Sequence, residues 1–107
     1  MILELATFHV RTGQQAGFET AFHEAQKILA SMPGYRNHQL QQCIETDSRY
    51  RLFVHWDTVE DHTIGFRQSP LFLKWRALLQ PFFAIPPEAE HYRLIAASQS
   101  VLSTATN

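Results

Sequence analysis

Apolar side chains occupy both faces of the first predicted strand, which runs from Ile2 to Arg11. Successive residues of a strand point to opposite faces, and a strand that is apolar on both faces is usually covered on both. We therefore expect this strand to be covered on both sides. Its apolar positions are Ile2, Ala6, Phe8 and Val10 on one face and Leu3 and Leu5 on the other.

Beyond a break at Thr12-Gly13, apolar residues recur at the three- and four-residue spacing of one helix face. This spacing predicts a helix of about 16 residues. Pro33 and Gly34 end it, because proline cannot continue a helix and glycine adopts the conformation of the exit. The apolar positions of the helix are Phe18, Ala21, Phe22, Ala25, Ile28, Leu29 and Met32.

Two further strands are predicted to form a hairpin. The first, Tyr35 to Ile44, is unusually polar, and the second, Tyr50 to Trp56, alternates between two sets of side chains. The turn-forming residues Thr46-Asp47-Ser48 lie between them, so the two strands should pair as neighbours.

Two helix starts follow the hairpin. Thr58 can cap a short helix that ends near Gln68, with Asp61 completing a capping box. Ser69-Pro70 begins a second helix, with serine as the cap and proline at the first helical position. The apolar face of this second helix consists of Leu71, Phe72, Trp75, Leu78, Leu79 and Phe82.

A last strand is predicted from Glu88 to Ala97, after Pro81 and Pro86-Pro87 have ended the helical stretch. The order β-α-β-β-α-β predicts a ferredoxin-like α+β fold with a four-stranded antiparallel sheet. Right-handed connections put both helices on the same face of the sheet. The other face carries Phe53 and Ile95 beside the apolar first strand, so we expect a second sheet from an identical chain to cover it.

Length, charge and cysteine content narrow the class of protein. The 107 residues suffice for one domain, placed at residues 1–97, with a tail at 98–107 that we expect to be mobile. Nine Lys and Arg against ten Asp and Glu give no support to nucleic-acid binding. Cys43 cannot form an internal disulfide, which suits the cytoplasm. No leader follows Met1 and no apolar run approaches about 18 residues, so neither export nor membrane contact is expected.

One stretch carries a family resemblance. Its residues are Val54-His55-Trp56-Asp57-Thr58, Glu60-Asp61-His62, Phe66, Ser69-Pro70, Phe72 and Trp75, followed by Pro81-Phe82 and His91-Tyr92. This pattern resembles the antibiotic biosynthesis monooxygenase (ABM) family, over about residues 2–96. The resemblance implies ferredoxin-like subunits that join sheet to sheet as a homodimeric α+β barrel, in agreement with the uncovered face.

The resembled family includes several activities. Some members oxidise polycyclic phenols or quinols with oxygen and neither metal nor flavin, and others cleave haem. The haem-cleaving members depend on an Asn in the first strand and on a Trp and a His in the later helices. The matching positions here hold Ala6, Phe66 and Arg76. The resemblance therefore disfavours haem degradation.

The candidate site residues each have a structural and a functional interpretation. His62 lies in the first turn of a helix, where a neutral imidazole is favoured, so it is a candidate base, although a surface or packing histidine is the simpler interpretation. Arg67 or Arg76 would stabilise the anion that forms when such a base deprotonates a phenolic substrate. Four aromatic side chains either pack the core or line a pocket for a flat substrate: Trp56, Phe66, Phe72 and Trp75.

His9 and His55 lie on predicted neighbouring strands, with Arg93 nearby. If they share a face, they form a polar interior of the dimer barrel or an anion-binding patch, and structural polar contacts are the simpler interpretation. The six histidines are scattered without metal-ligand spacing, and no glycine-rich phosphate loop is present. We therefore expect neither a metal nor a cofactor.

Two functions remain open at this point. One is a cofactor-independent monooxygenase that oxidises a small aromatic, phenolic or quinol substrate with molecular oxygen. The other is a non-catalytic module of the same fold that binds a small molecule or assists a partner, since a fold does not determine a function.

Overall fold

In the computed structural model, which describes residues 1–98, eight elements follow one another. They are β1 (Ile2–His9), α1 (Gln15–Ala30), β2 (Tyr35–Gln42), β3 (Arg49–Trp56), a π-helix (Asp61–Phe66), α2 (Pro70–Leu79), a 3₁₀ turn (Gln80–Phe82) and β4 (Glu88–Tyr92). The strands form one antiparallel sheet in the order β2-β3-β1-β4. This topology confirms the predicted ferredoxin-like fold. Of the tail predicted to be mobile, residues 99–107 lie outside the described part of the chain.

Strand β1 lies in the middle of the sheet, and its two faces have different neighbours. Its register pairs Ala6 with Leu52 of β3, and both side chains are buried beneath the helices. Helix α1 contributes the apolar stripe that its spacing predicts, with Phe18, Phe22, Ala25 and Leu29 buried. The opposite face of the sheet carries half-buried Leu3, Leu5 and Phe53, which border an open space and are covered by no helix of residues 1–98.

Both predicted helix caps are present. The backbone N–H of Asp61 donates to Thr58 Oγ1 at 3.1 Å, and the backbone N–H of Thr58 donates to Asp61 Oδ2 at 3.1 Å. The helix that begins at Val59 becomes a π-helix from Asp61 to Phe66. Ser69 Oγ accepts from the backbone N–H of Phe72 at 3.3 Å, with proline at the first position of α2.

Strand β4 is shorter than the sequence predicts. It ends at Tyr92, which pairs with Leu3, whereas the predicted strand continues to Ala97. Only Ile2 of β1 lies beyond this pair, so the residues after Tyr92 lack backbone partners for a longer ladder. Helix α2 also buries less than predicted, because Leu71 and Leu78 are each 36% exposed.

None of the helices among residues 1–98 is long and apolar enough to cross a bilayer.

We predict that Gly34→Ala will destabilise the fold much more than Gly13→Ala. Both glycines have positive φ, of 82° and 81°, so each substitution costs about 1–2 kcal/mol of backbone strain. A β-carbon at Gly34 would also overlap the side chain of Asp61, which holds the capping box, whereas one at Gly13 meets no atom within 4 Å. The total for Gly34→Ala should reach about 3 kcal/mol or more.

Urea unfolding of both variants against the wild type measures the difference. Equal losses of unfolding free energy would show that Asp61 moves aside freely and does not hold the helix start.

Candidate functional site

A cavity of about 110 Å³ lies between the sheet and the helical segments. Its walls are mostly apolar and aromatic, and its polar side chains are Glu4, His62, Arg67 and Glu88. The cavity shares several lining residues with an outer groove of about 410 Å³, so the two spaces adjoin each other. The shared residues are Arg67, Phe72, Trp75 and Pro87.

Glu4 is the central polar group of this cavity. Strand alternation turns it toward the helices together with Ala6 and Phe8, and it is only 5% exposed. Trp56 Nε1–H donates to Glu4 Oε1 at 2.9 Å. Burial raises the pKa of Glu4 to about 7, although the Trp56 hydrogen bond and the Arg67 charge both act to lower it. The carboxyl group is therefore balanced between its two protonation states near neutral pH.

His62 is held against Glu4 on one side and Trp56 on another. Its Nε2 lies 3.3 Å from Glu4 Oε2, and its ring stacks on the Trp56 ring at a centroid distance of 5.8 Å. Burial, followed by the charges of His91 and Arg67, lowers the pKa of His62 to about 4. His62 is consequently a neutral imidazole at pH 7.

His91 extends this pair into a chain of three groups. Its Nε2 lies 2.8 Å from His62 Nδ1, and strand register makes it the direct neighbour of Glu4 across β1 and β4. A protonated Glu4 can donate to His62 Nε2 while His62 Nδ1–H donates to His91. An ionised Glu4 reverses both hydrogen bonds. The arrangement can therefore carry a proton between the cavity and half-buried His91.

The structure brings together five of the residues singled out from the sequence. His62, Phe66, Arg67, Phe72 and Trp75 all line the cavity.

Two other predicted site residues lie nearby without lining it. Trp56 is fully buried and acts on the site through Glu4 and His62. Arg76 lies on the outer groove, where its Nε–H donates to Gln80 Oε1 at 3.1 Å.

The three residues predicted as a polar barrel face do not form one group. His55 and Arg93 lie along the open face of the sheet, where His55 Nδ1 is 2.8 Å from Asn37 Oδ1. His9 shares that face, but it pairs with Arg49, whereas His55 pairs with Leu3. His9 lies six residues along β1 from Leu3, the partner of His55, so about 20 Å of strand separates the two histidines.

Sequence reasoning missed Glu4 and His91. Glu4 did give a signal, because a carboxylate stands among the apolar side chains of the core-facing strand face. A buried carboxylate needs partners, and such groups concentrate at functional sites. His91 belongs to the pattern that carries the family resemblance, but only the strand register reveals that it lies beside Glu4.

Within residues 1–98, no three His, Cys, Asp or Glu side chains converge as metal ligands.

The sequence model of the antibiotic biosynthesis monooxygenase family matches residues 1–78. The chain belongs to this family. The resemblance inferred from the stretch between Val54 and Trp75 is thereby confirmed.

Relatives of this ABM family member match it over nearly their whole length. The uncharacterized protein YczJ of Bacillus subtilis (strain 168) is 42% identical over 93 residues, which cover 87% of this chain and 98% of that protein. A crystal structure from Bordetella bronchiseptica, of a protein assigned to the antibiotic biosynthesis monooxygenases, superposes with a TM-score of 0.86 at 36% identity. That match covers 89% of this chain and 97% of the other.

Two structures of lower identity share the fold. SnoaB, a cofactor-independent oxygenase from Streptomyces nogalater, has a TM-score of 0.73 at 22% identity, over 94% of this chain and 95% of its own. A monooxygenase from the gene ActVA-Orf6 of Streptomyces coelicolor, in complex with nanaomycin D, has a TM-score of 0.75 at 17% identity, over 92% and 91%. At these identities the likeness extends to the fold alone.

We predict that Glu4→Gln gains stability relative to the wild type as pH rises. The folded pKa of Glu4, about 7, lies above its ordinary value of 4.5, so the folded wild type binds this proton more tightly than the unfolded chain does. Wild-type stability is therefore lost between about pH 4.5 and 7, by up to about 3 kcal/mol, and the variant lacks this loss.

Chemical denaturation of both proteins at intervals from pH 4 to 8 measures the difference. A constant difference across that range would mean that Glu4 does not titrate near neutrality.

Proposed function

We propose that this protein is a cofactor-independent monooxygenase that oxidises a small phenol or hydroquinone with molecular oxygen. The observation that carries the proposal is the buried Glu4–His62 pair, which faces a small aromatic-walled cavity beside the cationic Arg67. Family membership adds support, as does the fold shared with SnoaB, a cofactor-independent oxygenase.

The reaction requires an acceptor for a proton and an environment that excludes water. Removal of the phenolic proton gives a phenolate, which can pass an electron to oxygen. One oxygen atom then bonds to a ring carbon, and the other leaves as water with two hydrogen atoms of the substrate. The product is a quinone, and the substrate supplies all four electrons that oxygen takes up. The protein contributes deprotonation, orientation and desolvation.

We assign the proton acceptor to Glu4 and proton transfer to His62. The sequence favoured His62 as the base, but both of its ring nitrogens are engaged, by Glu4 and by His91, and its pKa is about 4. Glu4, with a pKa of about 7, matches the demands of a base at neutral pH. His62 would pass the proton to His91, and Arg67 would stabilise the phenolate.

We also propose that the protein is a homodimer. The open face of the sheet surrounds a space of about 770 Å³ whose exposed apolar side chains include Tyr92, Leu94 and Ile95. A second copy of the same face would cover this surface by two-fold symmetry. We propose a cytoplasmic location as well, since the single cysteine gives the chain no internal disulfide.

We predict oxygen consumption with some members of a phenol and hydroquinone panel, and a loss of about 100-fold or more in Glu4→Gln and His62→Ala. The base acts when ionised, so kcat/KM should rise with pH through about 7, the pKa of Glu4. His23→Ala, at an exposed histidine of α1, serves as the matched control. An oxygen electrode and product analysis provide the measurement.

Undiminished turnover in folded Glu4→Gln would refute the assignment of the base. Saturable phenol binding without any oxygen uptake in the wild type would favour the non-catalytic binding module.

We predict that Leu5→Lys converts the dimer to a monomer, because it puts a charge at the centre of the open face. Leu73→Lys is the control, since Leu73 is 65% exposed on α2. Analytical ultracentrifugation should give twice the mass of one chain for the wild type and the control. A monomeric wild type would contradict the proposed dimer.

A further inference from the structure

The outer groove is lined by three arginines and by apolar side chains. Arg11 follows β1, Arg67 follows the π-helix and Arg76 belongs to α2, so three separate elements supply the charges. No Asp or Glu is among the residues that line this space of about 410 Å³. Its apolar floor includes Phe83 and Ile85.

None of these arginines forms an ion pair in the described part of the chain, although the charge of Arg67 acts on Glu4 in the adjoining cavity. The ion pairs of residues 1–98 are Lys27–Glu24, Arg36–Asp57 and His62–Glu4, and none involves the groove.

Two of the groove arginines are also oriented by neutral contacts. The Arg67 guanidinium lies over the Phe72 ring at 5.7 Å, and Gln80 accepts from Arg76 Nε–H. Both guanidinium groups therefore keep donors available while their side chains are partly fixed.

We propose that the groove binds a permanent anionic group carried by the substrate, a carboxylate or a phosphate joined to the aromatic ring. This inference rests on the proposed function, and it adds the substrate class: an aromatic acid in place of a neutral phenol. Oxyanions match the fork geometry of arginine, and a site with three guanidinium groups and no acid favours them over neutral groups.

The position of the groove, next to the cavity, suits a substrate whose phenolic ring lies in the cavity and whose anionic group lies in the groove. Cavity and groove share Arg67, Phe72 and Trp75 as lining residues, so the two spaces are neighbours, and in this proposal one molecule would extend across both. The phenolic ring would lie beside Glu4 in the cavity, and the anion would lie between Arg11 and Arg76. The second acid of the cavity, Glu88, lines only the inner space and does not contribute to the groove.

The test compares three matched probes by isothermal titration calorimetry under nitrogen: 2-naphthol, 6-hydroxy-2-naphthoate and 6-hydroxy-2-naphthyl phosphate. We expect the better of the two anions to bind the wild type at least about tenfold more tightly than naphthol. The Arg11→Gln/Arg76→Gln double variant should lose most of this preference, with a smaller effect on naphthol. Arg36→Gln, which lies outside the groove, should retain it.

The order of the two anions identifies the group. Tighter binding of the naphthoate would indicate that the natural group is a carboxylate. Tighter binding of the naphthyl phosphate, together with competition by inorganic phosphate, would indicate a phosphate. Equal affinities for the anions and naphthol, no binding of either anion, or a preference that survives in the double variant would each overturn the proposal.

Failure of this inference differs from failure of the proposed function. Anion-selective binding without oxygen consumption would refute the proposed monooxygenase activity and support the anion-binding groove. Oxygen consumption with the same kcat/KM for naphthol and both anions would refute the anion-binding groove and support the monooxygenase activity.

Discussion

Burial of the Glu4 carboxyl group connects most of the elements that make up the site. It lies on the central strand, accepts a hydrogen bond from Trp56 of β3 and contacts His62 of the π-helix, which in turn contacts His91 of β4. An unpartnered carboxyl group in this core would cost several kcal/mol. The sheet and the helical segment must therefore keep their relative positions for the carboxyl group to remain satisfied.

The same desolvation that constrains the fold also gives the site its chemistry. It raises the pKa of Glu4 toward neutrality and lowers that of His62, so a carboxyl and an imidazole that would ordinarily form an ion pair can share a proton instead. Aromatic side chains keep this pair away from water. The cationic residues stand at the outer edge, where the cavity meets the arginine-lined groove.

Alternation along β1 separates two functions of the sheet. Residues of one parity, such as Glu4 and Ala6, face the helices and the cavity, while Leu3 and Leu5 face the opposite side. A displacement of the strand by one residue would exchange the two sets. The site and the proposed dimer surface thus depend on the same register of β1.

The local pattern of the chain determined the element order, the long helix stripe and both helix starts. The capping box of Thr58 and Asp61 could be predicted because its atoms lie within three residues of one another. The cavity-lining aromatics could be predicted only as a set, since core and pocket positions share the same spacing. Tertiary structure alone decided that Glu4, His62 and His91 meet, because their contact depends on strand pairing and helix placement across most of the chain, and no local spacing encodes it.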